Sequence, residues 1–537
     1  MTASTTTPQP AEQTVPAFYN AAVDLIDRNL PARAGKVAFV DEFGSYTYGE
    51  LARRVDRCAG ALREFGLDVE QRVVLGLLDT IDFPTAFLGA IKTGVVPIPV
   101  NTLFQPLDYA FILADSRAKA AIVSVELLPA YEEAARLASW TGRFIVSDPR
   151  GTLTDTHHPT LAALIAAAAP IAEPASTRPD DVCFWLYSSG STGRPKGTVH
   201  VQTSMIRTAE LFAHGVLGMR EDDVVFSAAK LFFAYGLGNA LSFPMSVGAT
   251  AVLHSGRPTP DVVSTILRER SATIFCGVPT LFGSLLIHPG LPARGEIALR
   301  LCTSAGEPLP EEIGKNWTAR FGVEIVDGIG STEMLHIFVS NRPGAVKYGT
   351  TGLPVPGYRV RIVGDDGREV QPGELGELEV SGETSALHYW NNRAKSRSTF
   401  AGEWTRTGDK YRQDEEGYYV YCGRVDDMLK VGGIWVSPSE VEAALVAHEA
   451  VLEAAVIGIP DESDLIKPKA FVVLKPGIEP GDELAEALKA HVKGRLAPYK
   501  YPRWIEFVGE LPKTATGKIR RHVLRAQTLR QAQDDRG

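Results

Sequence analysis

The chain has 537 residues, 45% of them hydrophobic and 22% charged, with a formal net charge of -9. That length exceeds what one hydrophobic core serves and predicts a large body plus at least one smaller domain of ordinary globular composition. The negative balance argues against broad nucleic-acid or anionic-membrane binding, which needs a basic face, so any anion must be held by a local site.

In chain order, residues 1–17 lack a basic start and an apolar stretch and are expected to be a disordered leader, not a secretory signal. From Phe18 to about Gly423, short apolar and β-branched runs such as RVVLGLL, VVPIPV, AAIVSV, VCFWLY, ATIFC, LRLCTS and VEIVDG alternate with helical patterns. Runs of this kind predict an α/β fold of largely parallel sheets, each strand buried on both faces. The longest apolar run, Leu161 to Ala172, falls well short of the roughly 20 residues that a membrane span needs. The cysteines Cys58, Cys183, Cys276, Cys302 and Cys422 are scattered, with no CxxC pair, and are expected to be free thiols in a reducing cytoplasm.

Several strands run directly into Gly/Ser/Thr loops: VCFWLY into SSGSTG, LRLCTS into AGEPL, and VEIVDG into IGSTE. Open parallel sheets bind ligands beyond the carboxyl ends of their strands, so these loops are expected to share one cleft. After GRVDDMLKVGG (Gly423 to Gly433) the texture changes. Ser437 and Glu440 form a capping-box pattern, Pro438 suits the first helical position, and Val441, Ala444 and Leu445 share a face. The strands AAVIGI, AFVVL and WIEFV and the helix DELAEALKAHVKGRL complete a small α+β unit, with a frayed helix after Val523. The expected layout is a large domain over 18–425 and a small mobile one over 426–537.

The stretch YSSGSTGRPKG, Tyr187 to Gly197, offers Ser188, Ser189, Gly190, Ser191, Thr192 and Gly193, whose backbone and hydroxyl donors can close around phosphate oxygens. Lys196 adds a point charge. The next residue is Gly197, where a Walker loop carries the Ser or Thr that reaches Mg²⁺, which argues against a P-loop NTPase. Taken alone, the stretch is also readable as an ordinary flexible loop.

With SAGEPL (Ser304 to Leu309), IGSTE (Ile329 to Glu333), TGD (Asp409), GRVDD (Gly423 to Asp427) and PKTATGK (Lys518), this loop resembles the motif series of the acyl-adenylate-forming superfamily, and of its acyl-CoA synthetases in particular. The resemblance runs from about Phe18 to Val523, with the motifs in family order. It implies a luciferase-like large domain followed by a small mobile α+β domain, and ATP, Mg²⁺ and coenzyme A as cofactors.

By the same resemblance, Ala305, Gly306, Glu307 and Pro308 border adenine together with Asp327, Gly328 and Ile329. Thr332 meets the α-phosphate, Glu333 contacts Mg²⁺, and Asp409 takes the ribose hydroxyls beside Arg424. Lys518 neutralises charge in the adenylation transition state. Asp426 is the hinge whose rotation brings up Lys430, Gly432 and Gly433 for the pantetheine arm. Ile329 departs from the tyrosine common in the superfamily and supplies an apolar wall without a π face.

The acid pocket is expected between LFFAYGLGNA and the residues after Glu333. Phe232, Phe233, Ala234, Tyr235, Gly330, His336 and Ile337 outline a short flat slot suited to an aromatic acid, although His336 is equally readable as a core histidine. FFAYG carries no aspartate for a substrate ammonium, and no carrier domain follows, so a free thiol acceptor is favoured. KLFFAYGLGNALSFPM and DGIGSTEMLHIF resemble the benzoate-CoA ligase branch. That resemblance implies an AMP-forming aryl-CoA ligase acting on benzoate; the alternatives are hydroxybenzoate, aminobenzoate or a medium-chain fatty acid. The expected partners are small molecules, with neither nucleic acid nor membrane, in a cytoplasmic monomer or homodimer.

Overall fold

The computed structural model describes residues 17–153, 157–189, 195–425, 427–431, 434–461, 465–513 and 519–534. Nearly all of the disordered leader expected at the N-terminus lies outside them.

The large body is built on a nine-stranded and a four-stranded sheet. At the centre of the larger sheet, Ile325–Gly330, Leu301–Ala305, Ile274–Gly277, Val224–Ser227, Thr250–Val252 and Val37–Val40 run parallel. Ile337–Ser340 and Leu353–Pro354 close one edge antiparallel, and Ser45–Thr47 closes the other. The four-stranded sheet, Val96–Pro99, Arg72–Gly76, Ala120–Ser124 and Arg143–Ser147, is wholly parallel. Helix Asp82–Lys92 is buried over almost its whole length, as an α-helix apolar on all sides must be. Its Asp82 is held by Arg54 at 2.8 Å and by the Ser147 hydroxyl at 2.8 Å. Phe39, Phe83, Phe87 and Phe184 are fully shielded from solvent, each contributing about 1.5–3 kcal/mol by leaving water.

The run VCFWLY departs from the parallel expectation. Strand Val182–Ser189 pairs antiparallel with Pro195–Val201, which pairs with His388–Tyr389 in a separate three-stranded sheet. Ser188 and Ser189 therefore pair antiparallel with Lys196 and Pro195 and do not lie at the exit of a parallel strand. A run of apolar residues reports burial on both faces and carries no information on strand direction. Trp185 packs on Trp390 with centroids 4.5 Å apart, and the Tyr187 hydroxyl donates to Asp115 at 2.7 Å, which fixes the hairpin's base on the body.

A five-stranded antiparallel sheet, which includes Gly376–Ser381, Trp404–Gln413 and Tyr419–Arg424, leads to the small C-terminal domain. There Val451–Pro460, Ile466–Leu474 and Trp504–Phe507 form one sheet, covered by helices Pro438–Val446 and Asp482–Arg495. The capping box at Ser437 is half formed. Ser437 accepts from the Glu440 N–H at 3.2 Å, but the Glu440 carboxylate turns to Lys500. Val441, Ala444 and Leu445 face the core as expected. A helix over Arg521–Asp534 ends the described chain. Cys58, Cys183, Cys276 and Cys302 are buried free thiols and Cys422 is a half-buried one. Among the described residues, no helix is long and apolar enough to cross a membrane.

Candidate active site

Adjacent strand ends bring the predicted adenine residues together. Ser304 lies opposite Asp327 and Ala305 opposite Gly328 in the parallel register. Gly306 adopts φ +98°, a conformation that glycine takes without strain, and bends the chain directly after the strand. Asp327 is 5% exposed, and burial pushes its carboxyl up to about 8. Its Oδ1 and the Ser304 hydroxyl are both buried across the register, and the hydrogen-bonding groups of Ser304, Leu309 and Gly328 work against that burial. Ile329 is a half-buried apolar wall packed on the main core. Gly328 and Gly330 are needed for strand packing: a Cβ at 328 would stand 2.8 Å from Ile337 Cγ2, and one at 330 would stand 2.6 Å from the His336 carbonyl oxygen.

On the opposing hairpin, Ser188 and Lys196 are cross-strand partners, and Ser189 faces Pro195. The Ser188 hydroxyl is buried and unpartnered. Gly190, Ser191, Thr192 and Gly193, predicted to cradle phosphate, lie outside the described residues, as do Asp426, Gly432, Gly433 and Lys518. Burial pulls the Lys196 ammonium below its ordinary range, while nearby Glu333 works in the other direction.

Tyr389 joins the two walls. Its hydroxyl donates to Glu333 Oε1 at 2.6 Å, and its ring lies under the Lys196 ammonium with 4.5 Å from nitrogen to centroid. His200, fully buried and stacked on Phe184, donates through Nε2 to the Thr332 carbonyl at 2.8 Å and so fixes the Thr332–Glu333 turn. Tyr389 and His200 were missed in the sequence. Neither belongs to a motif read there, and their contacts cross 56 and 132 residues of chain.

Glu333 fits Mg²⁺ as one hard oxygen donor. Among the described residues its Oε2 carries no hydrogen bond, and no group of three or more His, Cys, Asp or Glu side chains gathers to hold a metal ion alone. Mg²⁺ is commonly held by one or two carboxylates, with phosphate oxygens and water completing the shell. Asp409 is buried opposite Arg424, whose Nη1 donates to Asp409 Oδ1 at 3.1 Å and to the Thr407 carbonyl at 3.2 Å. The nearby Asp409 charge raises the Arg424 guanidinium further. Lys430 is exposed on the short strand Leu429–Val431, at the start of the small domain.

The predicted slot residues also converge. The Tyr235 hydroxyl and Thr303 Oγ1 are 2.6 Å apart, which ties Tyr235 to strand Leu301–Ala305. Burial holds the phenol well above its ordinary range. The Phe232 and Phe233 rings meet tilted, with centroids 4.4 Å apart, and Ala234 begins the short helix that carries Tyr235. His336, 2% exposed, lies against the Tyr235, Phe212 and Phe243 rings at 5.5, 5.3 and 4.5 Å, and Ile337 follows it into the core. Burial lowers the imidazole to about 3, so it is neutral at ordinary pH. Nε2 points at the Tyr235 carbonyl, 3.4 Å away, which leaves Nδ1 as a buried acceptor without a partner. Gly238 makes the space, since a Cβ there would lie 2.5 Å from the ring.

A family model for AMP-binding enzymes matches residues 26–390, and a second, for the AMP-binding enzyme C-terminal domain, matches 440–518. The chain is 61% identical over 515 residues to a benzoate–CoA ligase of Thauera aromatica, covering 95% of this chain and 97% of that one. It is 52% identical to a 4-hydroxybenzoate–CoA/benzoate–CoA ligase of Rhodopseudomonas palustris, with 95% and 94% covered. Among solved structures, a benzoate CoA ligase from Burkholderia xenovorans LB400 superposes with a TM-score of 0.89 at 55% identity, covering 94% of this chain and all of that one. An anthranilate CoA ligase in complex with anthranoyl-AMP gives 0.91 at 43%, with 96% and 98% covered.

Proposed function

The chain belongs to the AMP-binding enzyme family, and from that membership we propose that it is an AMP-forming aryl-CoA ligase converting benzoate, ATP and coenzyme A to benzoyl-CoA, AMP and diphosphate. The observation that carries the choice of acid is the slot. Phe233, Ala234, Tyr235, Gly330, Ile337 and a neutral His336 bring flat and apolar surface to it, and none of them is charged. The benzoate–CoA ligases to which the chain is similar support the same choice.

The benzoate carboxylate attacks the α-phosphorus of ATP, diphosphate leaves, and benzoyl-AMP remains. Ser188, Ser189, Gly190, Ser191, Thr192, Gly193 and Lys196 hold the phosphates. Ser304, Ala305, Gly306, Pro308, Asp327 and Ile329 border the base, and Asp409, oriented by Arg424, takes the ribose hydroxyls. Glu333 would hold Mg²⁺, which supplies charge neutralisation on the departing diphosphate. Tyr389 aims that carboxylate, and His200 holds Thr332 at the α-phosphate. Lys518 opposes the negative charge that builds up in the transition state. The coenzyme A thiol then attacks the mixed anhydride and AMP departs, after residues 426–537 turn about Asp426 against residues 18–425 and present Lys430, Gly432 and Gly433. We read the protein as a cytoplasmic monomer or homodimer acting on small molecules.

A second reading, hydroxybenzoate or aminobenzoate as the acid, is favoured by the unpartnered Nδ1 of His336, which could accept a hydrogen bond from a ring hydroxyl or amine. Turnover dependent on ATP and coenzyme A across benzoate, 4-hydroxybenzoate, 2-aminobenzoate, cyclohexanecarboxylate and hexanoate tests both. Benzoate should lead; a lead for hexanoate would overturn the flat-slot argument.

A further inference from the structure

We propose that Glu307 is a latch that holds the small domain in the orientation used for adenylation; the inference rests on the two-step reading above. Glu307 had been expected to border adenine. Its Oε1 accepts a hydrogen bond at 2.8 Å from the backbone N–H of Ile519, 212 residues away and immediately after Lys518. Ile519 is not a loose end. It bridges antiparallel to Lys513, and the Arg520 N–H donates to the Pro512 carbonyl at 2.8 Å, so the loop that carries Lys518 is closed at its base.

That base is anchored within the small domain. Lys513 reaches Glu453 at 2.7 Å, and Arg521 reaches Glu442 at 2.7 Å. The carboxylate of Glu307 therefore grips a rigid stem, one residue from the lysine, from a bend that Gly306 sets at the end of strand Leu301–Ala305. Any rotation that carries Ile519 away from the large body must break this hydrogen bond. A contact made in only one of two orientations shifts the balance between them by its differential free energy. Glu307 is thus a positioning residue, acting through the stem on the lysine.

The test uses the full chain with Glu307→Ala and Glu307→Gln. Two single-turnover rates are measured: benzoyl-AMP formation from ATP and benzoate, and coenzyme A-dependent consumption of preformed benzoyl-AMP. A hydrogen bond to a charged acceptor is worth about tenfold or more in rate. In Glu307→Ala the ratio of the first rate to the second should fall at least about that far. Glu307→Gln, whose amide oxygen still accepts, should restore most of it. Equal losses in both steps, an unchanged ratio, or a loss confined to the KM for ATP would overturn the latch. Failure of the parent chain to form benzoyl-AMP would count against the proposed acid, and the ratio is then read with the acid that leads the carboxylate panel.

Discussion

At His336 the same burial governs stability and specificity. An exposed histidine titrates near 6.5, whereas burial holds His336 near 3 and His200 near 4. Between those values the unfolded chain takes up protons that the native state refuses, so stability present above pH 6.5 is lost as pH falls toward 4. By pH 5 each such histidine costs about 2 kcal/mol. Asp327 and Asp79, pushed up to about 8 and about 6, work in the opposite sense, so the informative quantity is a difference between proteins. The Tm of His336→Asn should drop less from pH 7 to pH 5 than that of the parent; parallel curves would contradict the assignment. Gly238→Ala would push a methyl into the ring 2.5 Å away. It should raise the KM for benzoate about tenfold or more while leaving the KM for ATP nearly unchanged, as steady-state kinetics with each substrate varied would show.

At the scale of elements, the hairpin and the small domain each depend on a polar contact between segments distant in sequence. Tyr389→Phe keeps the ring under Lys196 and removes the hydroxyl from Glu333. Benzoyl-AMP formation should slow about tenfold, measured by single turnover. Arg521 joins Glu442 to Asp427, the residue after the proposed hinge: its Nη1 is 3.8 Å from Asp427 Oδ2, its side chain is 17% exposed and that of Glu442 11%. Arg521→Ala strips Glu442 of its buried cation and should destabilise the small domain by about 3–5 kcal/mol, seen by calorimetry as an earlier, separate transition. Little of this was legible in the sequence. Resemblance to a family's motif series singled out Lys196, Glu333 and Asp409 as candidates, but Tyr389 and the Glu307–Ile519 contact depend on pairings across the fold that no local pattern encodes. VCFWLY had the composition of a buried parallel strand because burial on both faces, not pairing direction, sets composition.

For the whole molecule, the division into a large α/β body and a small α+β domain was legible. The change from continuous apolar runs to a capped amphipathic helix marks two kinds of packing, and each domain has its own core cluster. The proposed function needs the two domains to share one nucleotide in turn. Asp426→Pro, which restricts φ at the proposed hinge, should spare benzoyl-AMP formation and slow its reaction with coenzyme A. Equal loss in both steps would count against rotation at that residue. The most direct measurement of the central claim is benzoate-dependent exchange between diphosphate and ATP, without coenzyme A, in the parent chain and in Lys518→Ala. The account predicts exchange in the parent and a loss of at least about 10²-fold in the variant. No exchange with any acid of the panel, or undiminished exchange in Lys518→Ala, would contradict it.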